Sequence, residues 1–532
     1  MNRRFFHRSS ALCIYTFILL IVSGCKNSEK DKPVRPAFDP VESSIADIQQ
    51  LYTEGHYTIE QITKIFMDRI QSIDKEGPAI NSVIYVNLKA LDYARELDKE
   101  LAEGNSRGPL HGIPVLLKDN IDTYDMPTTA GSRALDGSIP MDDSTVARKL
   151  REAGAVILGK TNLSEWANFR GEDSSSGWSG LGGLSKNPYV LDRNTCGSSA
   201  GSGSSVAASL CVFAIGTETN GSIVCPSTTN GIVGIKPTVG LISRDGIIPI
   251  SYTQDTGGPM ARSVEDAVVA LGTMTGVDQA DDKTTQSVGQ YKEDYTPYLN
   301  KNGLQGKRIA YFKASRGRHQ ETDNLIDLAI EDLKNGGAEV VEIESIGPDG
   351  LGRESFNVML YEYKQGLNDY FKSLGENAPI KSLEDLIAFN KQDSIELQYF
   401  GQEYLEMAQE KGNLEEESYL TSLEKITQGM RADGIDKVMD ELNLDAIIAP
   451  TGSPAWKTDL ENGDTFVLGS SSPAAISGYP NISVPMGFVG ALPVGMSIFG
   501  RAWSEPTLIE IAYAYEQATL HRRAPRYLES ID

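Results

Sequence analysis

Two glycine–serine blocks and one lysine at the end of an apolar run are the residues whose types and order can do chemistry. The first block is Cys196-Gly197-Ser198-Ser199-Ala200-Gly201-Ser202; the second runs from Gly216 through Thr217-Glu218-Thr219-Asn220-Gly221-Ser222 to Pro226. Small residues permit tight turns and close approach of backbone N–H groups. A serine directly after Asn220-Gly221 can stand at a sharp turn with the preceding N–H groups aimed at one point, as oxyanion stabilisation requires. A serine nucleophile also needs a base, and no histidine lies near either block. Lys118 is the alternative. It follows Ile113-Pro114-Val115-Leu116-Leu117 and precedes Asp119-Asn120. Burial disfavours the ammonium form, so a buried lysine can accept a proton as a neutral amine. A strand-end lysine that reaches solvent is the commoner arrangement, and Asp119 facing the amine would oppose a base role. On their own, these residues admit a Ser/Lys hydrolase, or an Asn-Gly turn beside a solvent-facing lysine.

The elements that must position them follow an α/β pattern. Ser44 to Thr53 reads as a short helix, Thr58 and Gln61 form a capping-box pattern ahead of Ile59, Ile62, Phe66, Ile70 and Ile73, and Leu88 to Ala102 reads as a third helix. From Gly112 to Leu117 and from Ala155 to Gly159 the chain is continuously apolar, as buried strands are, with a helix over Ser144 to Ala153 between them. Residues 171–205 are dense in glycine and serine and lie between core elements, where a long loop is usually functional. A second strand–helix–strand unit covers Arg308 to Phe312, Asn324 to Lys334 and Glu339 to Ile343. Residues 350–441 read as a helical insertion, because strand-like segments flank them on both sides. A final helix is predicted over Pro506 to Thr519.

Gly112-Ile-Pro-Val-Leu-Leu-Lys118-Asp-Asn, taken with both blocks, resembles the amidase signature family. Flanking segments extend the resemblance: Gly159 to Glu165, Gly231 to Thr238, Gly257 to Arg262 and Ser477 to Pro485. It covers residues 44–520 and is weakest between 280 and 440. The resemblance implies an α/β fold with a mixed central sheet covered by helices on both faces. It also implies a Ser–cis-Ser–Lys triad: Ser222 as the acylated nucleophile, Ser198 as the bridging cis-serine and Lys118 as the base. The backbone of Thr219, Asn220, Gly221 and Ser222 would hold the oxyanion, with Ser199 supporting the network. Cys196, Ala200 and Asn220 replace glycines usual in the family; Asn tolerates positive φ, so the turn is expected to survive. Trp166 to Arg170, Ser176 to Ser179 and Glu218 to Pro226 are most similar to the bacterial peptide amidase branch, which removes the C-terminal amide from peptides. Lys160, Trp166, Arg170 and Trp178 are expected to pack or lie at the surface rather than react, with Trp178 a candidate pocket wall.

Composition narrows the remaining classes. The 532 residues are 40% hydrophobic and 23% charged, and the net charge is −24. Such a field repels polyphosphate backbones, so nucleic acid is not expected as a partner. A basic start (Arg3, Arg4, His7, Arg8), an apolar run from Ala11 to Val22 and Val22-Ser23-Gly24-Cys25 resemble a bacterial lipoprotein signal. That implies a signal peptide over 1–24, lipidation at Cys25, a tether over 25–43 and a membrane-anchored, exported enzyme with its domain over 44–525. Cys196, Cys211 and Cys225 are then an odd set with no metal spacing, expected to be buried thiols. The five histidines are scattered, so no metal and no cofactor is expected. Competing expectations are an amidase of small or fatty-acyl amides, the A component of an amidotransferase working on charged tRNA, and a non-catalytic peptide-binding lipoprotein.

Overall fold

Two reciprocal caps begin the chain's helical entry. In this computed structural model, which describes residues 37–376 and 378–531, Ser44 Oγ accepts from Asp47 N and the Asp47 carboxylate accepts from Ser44 N, starting the helix Ile45–Thr53. Thr58 and Gln61 exchange the same pair of bonds at the head of Ile59–Arg69. Each box satisfies two otherwise orphaned N–H groups. The third helix spans Ala90–Ala102. The signal peptide, Cys25 and the tether before residue 37 lie outside the described residues.

The strands, in chain order, are β1 (Val83–Val86), β2 (Pro114–Lys118), β3 (Val156–Thr161), β4 (Trp178–Ser179), β5 (Gly183–Leu184), β6 (Phe213–Glu218), β7 (Val233–Lys236), β8 (Thr256–Ala261), β9 (Arg308–Phe312), β10 (Glu339–Ile343), β11 (Ala446–Pro450), β12 (Asn481–Val489) and β13 (Leu492–Phe499). All but β4 and β5 join one mixed sheet in the order β1-β3-β2-β6-β8-β7-β12-β13-β11-β9-β10. β2 runs parallel to both β3 and β6, whereas the neighbours from β6 through to β13 pair antiparallel. Every residue of β2, β3 and β6 is buried, which explains their unbroken apolar runs. In this register Leu117 of β2 lies beside Ile215 of β6, so the carboxyl ends of two parallel strands bring the Lys118 side chain within hydrogen-bonding reach of Thr217.

Asp39–Asp532 forms one compact unit, with the helical insertion inside it. The insertion starts with the long helix Leu351–Ser373 and returns to the sheet at β11. Its Leu360, Tyr363, Leu367 and Phe371 bury against Trp166, Phe169, Ile248 and Ile250. A buried ion-pair cluster fixes the same seam: Arg170 Nη1 lies 2.6 Å from Glu165 and 3.3 Å from Glu396 of the insertion. Arg170, Trp166 and Lys160 are thus interior packing residues, with none of them at the surface. Trp178 is buried edge-on to Tyr399 and Phe400 of the insertion.

Two expectations need correction. Residues 171–205 are not one long loop: they hold the β4–β5 hairpin and the start of the helix Ala200–Ala207. The three cysteines of the domain are not all thiols either. Cys196 and Cys225 form a disulfide, with Cα atoms 5.8 Å apart, and only Cys211 is free and buried. Among the described residues, no helix is long and apolar enough to cross a membrane.

Candidate active site

Lys118 ends β2 with no exposed surface. Its Nζ lies 2.7 Å from Ser198 Oγ, 2.9 Å from Thr217 Oγ1 and 3.3 Å from the Thr217 carbonyl. Burial lowers its pKa to about 7, partly opposed by the negative charges of Asp255 and Glu218. The solvent-facing alternative for this lysine is therefore excluded. Asp119 does not face the amine. It accepts from Thr129 and pairs with Lys160 at 3.7 Å, leaving Lys118 among hydroxyl and carbonyl oxygens.

The first serine block supplies the other side of the network. The Gly197–Ser198 peptide bond is cis, and the Ser198 carbonyl accepts from Ser164 N (3.1 Å). Ser199 stands at the head of the helix Ala200–Ala207; its Oγ donates to the Thr217 carbonyl and accepts from Thr217 N. Ser199 N donates to the Ser222 carbonyl (3.1 Å), which joins the two blocks directly. No hydrogen bond joins the Ser198 and Ser222 hydroxyls among the described residues. Such bonds are commonly loose before substrate arrives.

The turn that carries Ser222 is built by residues that sequence reasoning did not single out. Glu218, buried at the end of β6, accepts from Ile223 N (2.8 Å) and Val224 N (3.0 Å) through one carboxylate oxygen, folding the chain back over residues 219–222. Asp255 accepts from Thr219 Oγ1 (2.6 Å) and from the N–H groups of Ile250 and Ser251. Burial raises its pKa to about 6. The left-handed residue of the turn is Gly221 (φ 88°), so the Asn220 substitution is not what the turn's positive φ rests on. Asn220 works sideways: its Oδ1 accepts from Ser471 Oγ (2.7 Å) and its Nδ2 donates to Ser472 Oγ (3.3 Å). Among the described residues, none accepts from the backbone N–H of Thr219, Asn220, Gly221 or Ser222. A run of unspent donors at one turn can receive an oxyanion. The signals for Glu218 and Asp255 were weak, being single acids in Gly/Ser/Thr-rich segments.

The Cys196–Cys225 disulfide ties the two blocks covalently, two residues before Ser198 and three after Ser222, with Trp456 packed on it. Its partners are 29 positions apart, a loop whose closure stabilises by about 3–4 kcal/mol in chain-entropy terms. Replacing both cysteines by serine is expected to lower the melting temperature by several degrees. It is also expected to reduce kcat more than it raises KM, because the serines lose a shared anchor. Thermal denaturation and steady-state ammonia release check this; a double variant equal to wild type in both would show the bond to be idle.

Known proteins resemble this chain over most of its length. The family model for amidases matches residues 61–509. A probable amidase of Arabidopsis thaliana is 39% identical, in an alignment that covers 98% of this chain and 98% of its own. The A component of the glutamyl-tRNA(Gln) amidotransferase of Microcystis aeruginosa is 32% identical, covering 91% of this chain and 99% of its own. Among solved structures, a peptide amidase in complex with the competitive inhibitor chymostatin is 48% identical, with a TM-score of 0.90 over 92% of this chain and 100% of that one. The native peptide amidase of Stenotrophomonas maltophilia is 47% identical, with a TM-score of 0.88 over 92% and 100%. Spanning sheet, insertion and both serine blocks, these matches show that the chain belongs to the amidase family and is an amidase.

Proposed function

We propose that this amidase hydrolyses the C-terminal carboxamide of peptides, releasing ammonia, with Ser222 as nucleophile and Lys118 as base through Ser198. The observation that carries the mechanism is an amine with a pKa of about 7, enclosed by Ser198 Oγ and the two oxygens of Thr217. A neutral amine has two N–H groups and one lone pair. Thr217 takes the two N–H groups, so the lone pair faces the Ser198 hydroxyl. Ser198 can then pass its proton to Lys118 while taking one from Ser222, whose oxygen attacks the amide carbon. Negative charge develops on the carbonyl oxygen against the N–H groups of Thr219 to Ser222, each such donor being worth about 3 kcal/mol of barrier. Ser198 returns a proton to the departing ammonia, and water releases the acyl group from Ser222.

Close similarity to peptide amidases over nearly the whole domain supports the substrate class. The acidic chain, at −24, disfavours the tRNA substrate named for the amidotransferase relatives. The N-terminal lipobox-like segment and the Cys196–Cys225 disulfide both fit an exported, lipid-anchored enzyme, since disulfides persist in oxidising compartments. The decisive assay follows ammonia release from C-terminally amidated peptides, aliphatic amides, aromatic amides and long-chain fatty amides. The highest kcat/KM is expected for the amidated peptides, with the free-acid peptide as product. A higher kcat/KM on fatty or small amides would overturn the substrate assignment.

A further inference from the structure

Beside the lysine network lies a cavity of about 320 Å³ whose role the proposed mechanism leaves open. Asn120 and Thr217 form its inner end; Asn120 Nδ2 donates to Thr217 Oγ1, the atom that also bonds Lys118. Ile248, Pro249 and Tyr370 supply an apolar wall, and the half-buried Asp245 and the exposed Asp369 are the lining carboxylates nearest solvent. Arg244, the one basic residue of the lining, is held by Asp281 and the Tyr252 carbonyl. Asp255 has both oxygens engaged within the protein.

Two carboxylates keep acceptor capacity. Asp245 receives one long bond from Thr145 (3.5 Å), and Asp369 receives bonds from Gln365 (2.9 Å) and Tyr252 (3.4 Å). Among the described residues, neither has a cation as a bonded partner. An independent observation comes from the inner end: Asn120 is 2% exposed, yet its Oδ1 has no hydrogen-bond partner among them. A buried acceptor left unpaired is costly and points to a donor that arrives with a ligand. Acidic groups at the mouth of a low-dielectric pocket attract and orient cations.

We propose that this cavity is a subsite for a cationic group on an apolar stem, the ammonium or guanidinium of a basic residue in the amide substrate. The cation sits between Asp245 and Asp369, the stem packs on Ile248, Pro249 and Tyr370, and a substrate N–H reaches Asn120 Oδ1. The substrate part of this assignment rests on the peptide-amide reading above.

The test has two arms. Calorimetric titration with benzamidinium chloride and with sodium benzoate, on wild type and on an Asp245→Asn/Asp369→Asn double variant, reads the subsite without turnover. Benzamidinium is expected to bind wild type and to bind the variant about tenfold more weakly, while benzoate binds neither. The second arm compares kcat/KM for amidated dipeptides that differ only in lysine against norleucine. The double variant should lose about tenfold on the lysyl peptide and nothing on the norleucyl one. Equal benzamidinium affinity in both proteins, no binding to wild type, or equal losses on both peptides would overturn the subsite. Turnover of small carboxamides with no amidated peptide hydrolysed would reject the peptide-amide reading instead, and the titration would still decide the subsite.

Discussion

Ser222→Ala is expected to lower amide turnover by about 10⁴-fold or more while leaving the folded state unchanged, because nucleophile and base act as a unit in serine hydrolases. The fold should tolerate the change for a local reason. Ser222 ties into the site through its backbone carbonyl, which accepts from Ser199 N, and its hydroxyl bonds no other described residue. Alanine therefore removes the reacting oxygen without orphaning a buried partner. The turn itself rests on Glu218, Gly221 and Asn220, which the substitution does not touch. Ammonia release together with a thermal melt separates lost chemistry from lost folding. A serine-directed acylating probe gives a positive readout: mass spectrometry should place the adduct on the peptide containing Ser222 and find none in the variant. An active Ser222→Ala enzyme, or an adduct elsewhere, would reject this nucleophile.

How much of this site the sequence discloses depends on how local its signals are. Lys118, Ser198 and Ser222 sit in contiguous motifs, so their resemblance to the amidase signature family singles them out where residue type and order alone left a solvent-facing lysine open. Their supports lie in no such motif. Asp255 reaches Thr219 from the loop before β8, and Ser471 reaches Asn220 from the far end of the chain; no spacing rule joins such positions. The disulfide is hidden for the same reason. Three cysteines at ordinary intervals carry no pairing information until the fold brings two Cα atoms to 5.8 Å. Strands β9 and β10 both match the predicted ranges; β9 has a buried apolar centre, and β10 is a largely uncovered edge strand whose Val340, Val341 and Ile343 carry the signal. The glycine–serine stretch carries no periodicity, so its β4–β5 hairpin stays invisible. Glu396 is the extreme case, a charged residue in a charged insertion whose burial against Arg170 appears only in three dimensions.

Lys118→Met is expected to reduce kcat by about 10²–10⁴-fold, the range a positioned general base supplies. Wild-type kcat/KM should be level above a pH of about 7 and fall tenfold per unit below it, as the buried amine takes up a proton. The same burial carries a stability signature that a solvent-facing lysine would lack. The folded pKa lies below the unfolded one, so between about 7 and 10.5 the unfolded chain holds a proton that the folded chain does not. Wild-type stability should therefore rise with pH across that window and gain nothing further from this group above it. Near pH 7 the burden is on the order of 4 kcal/mol, from about 1.4 kcal/mol per unit of displacement. Methionine removes it, so the variant's stability relative to wild type should be most favourable near neutrality and decline toward pH 10. All other titrating groups are common to both proteins and cancel in that difference. Denaturant midpoints of both proteins at several pH values, set beside the pH–rate profile, read one amine in two ways. A difference in stability that stays flat with pH would mean that Lys118 is charged in the folded enzyme, and a charged ammonium cannot accept the Ser198 proton.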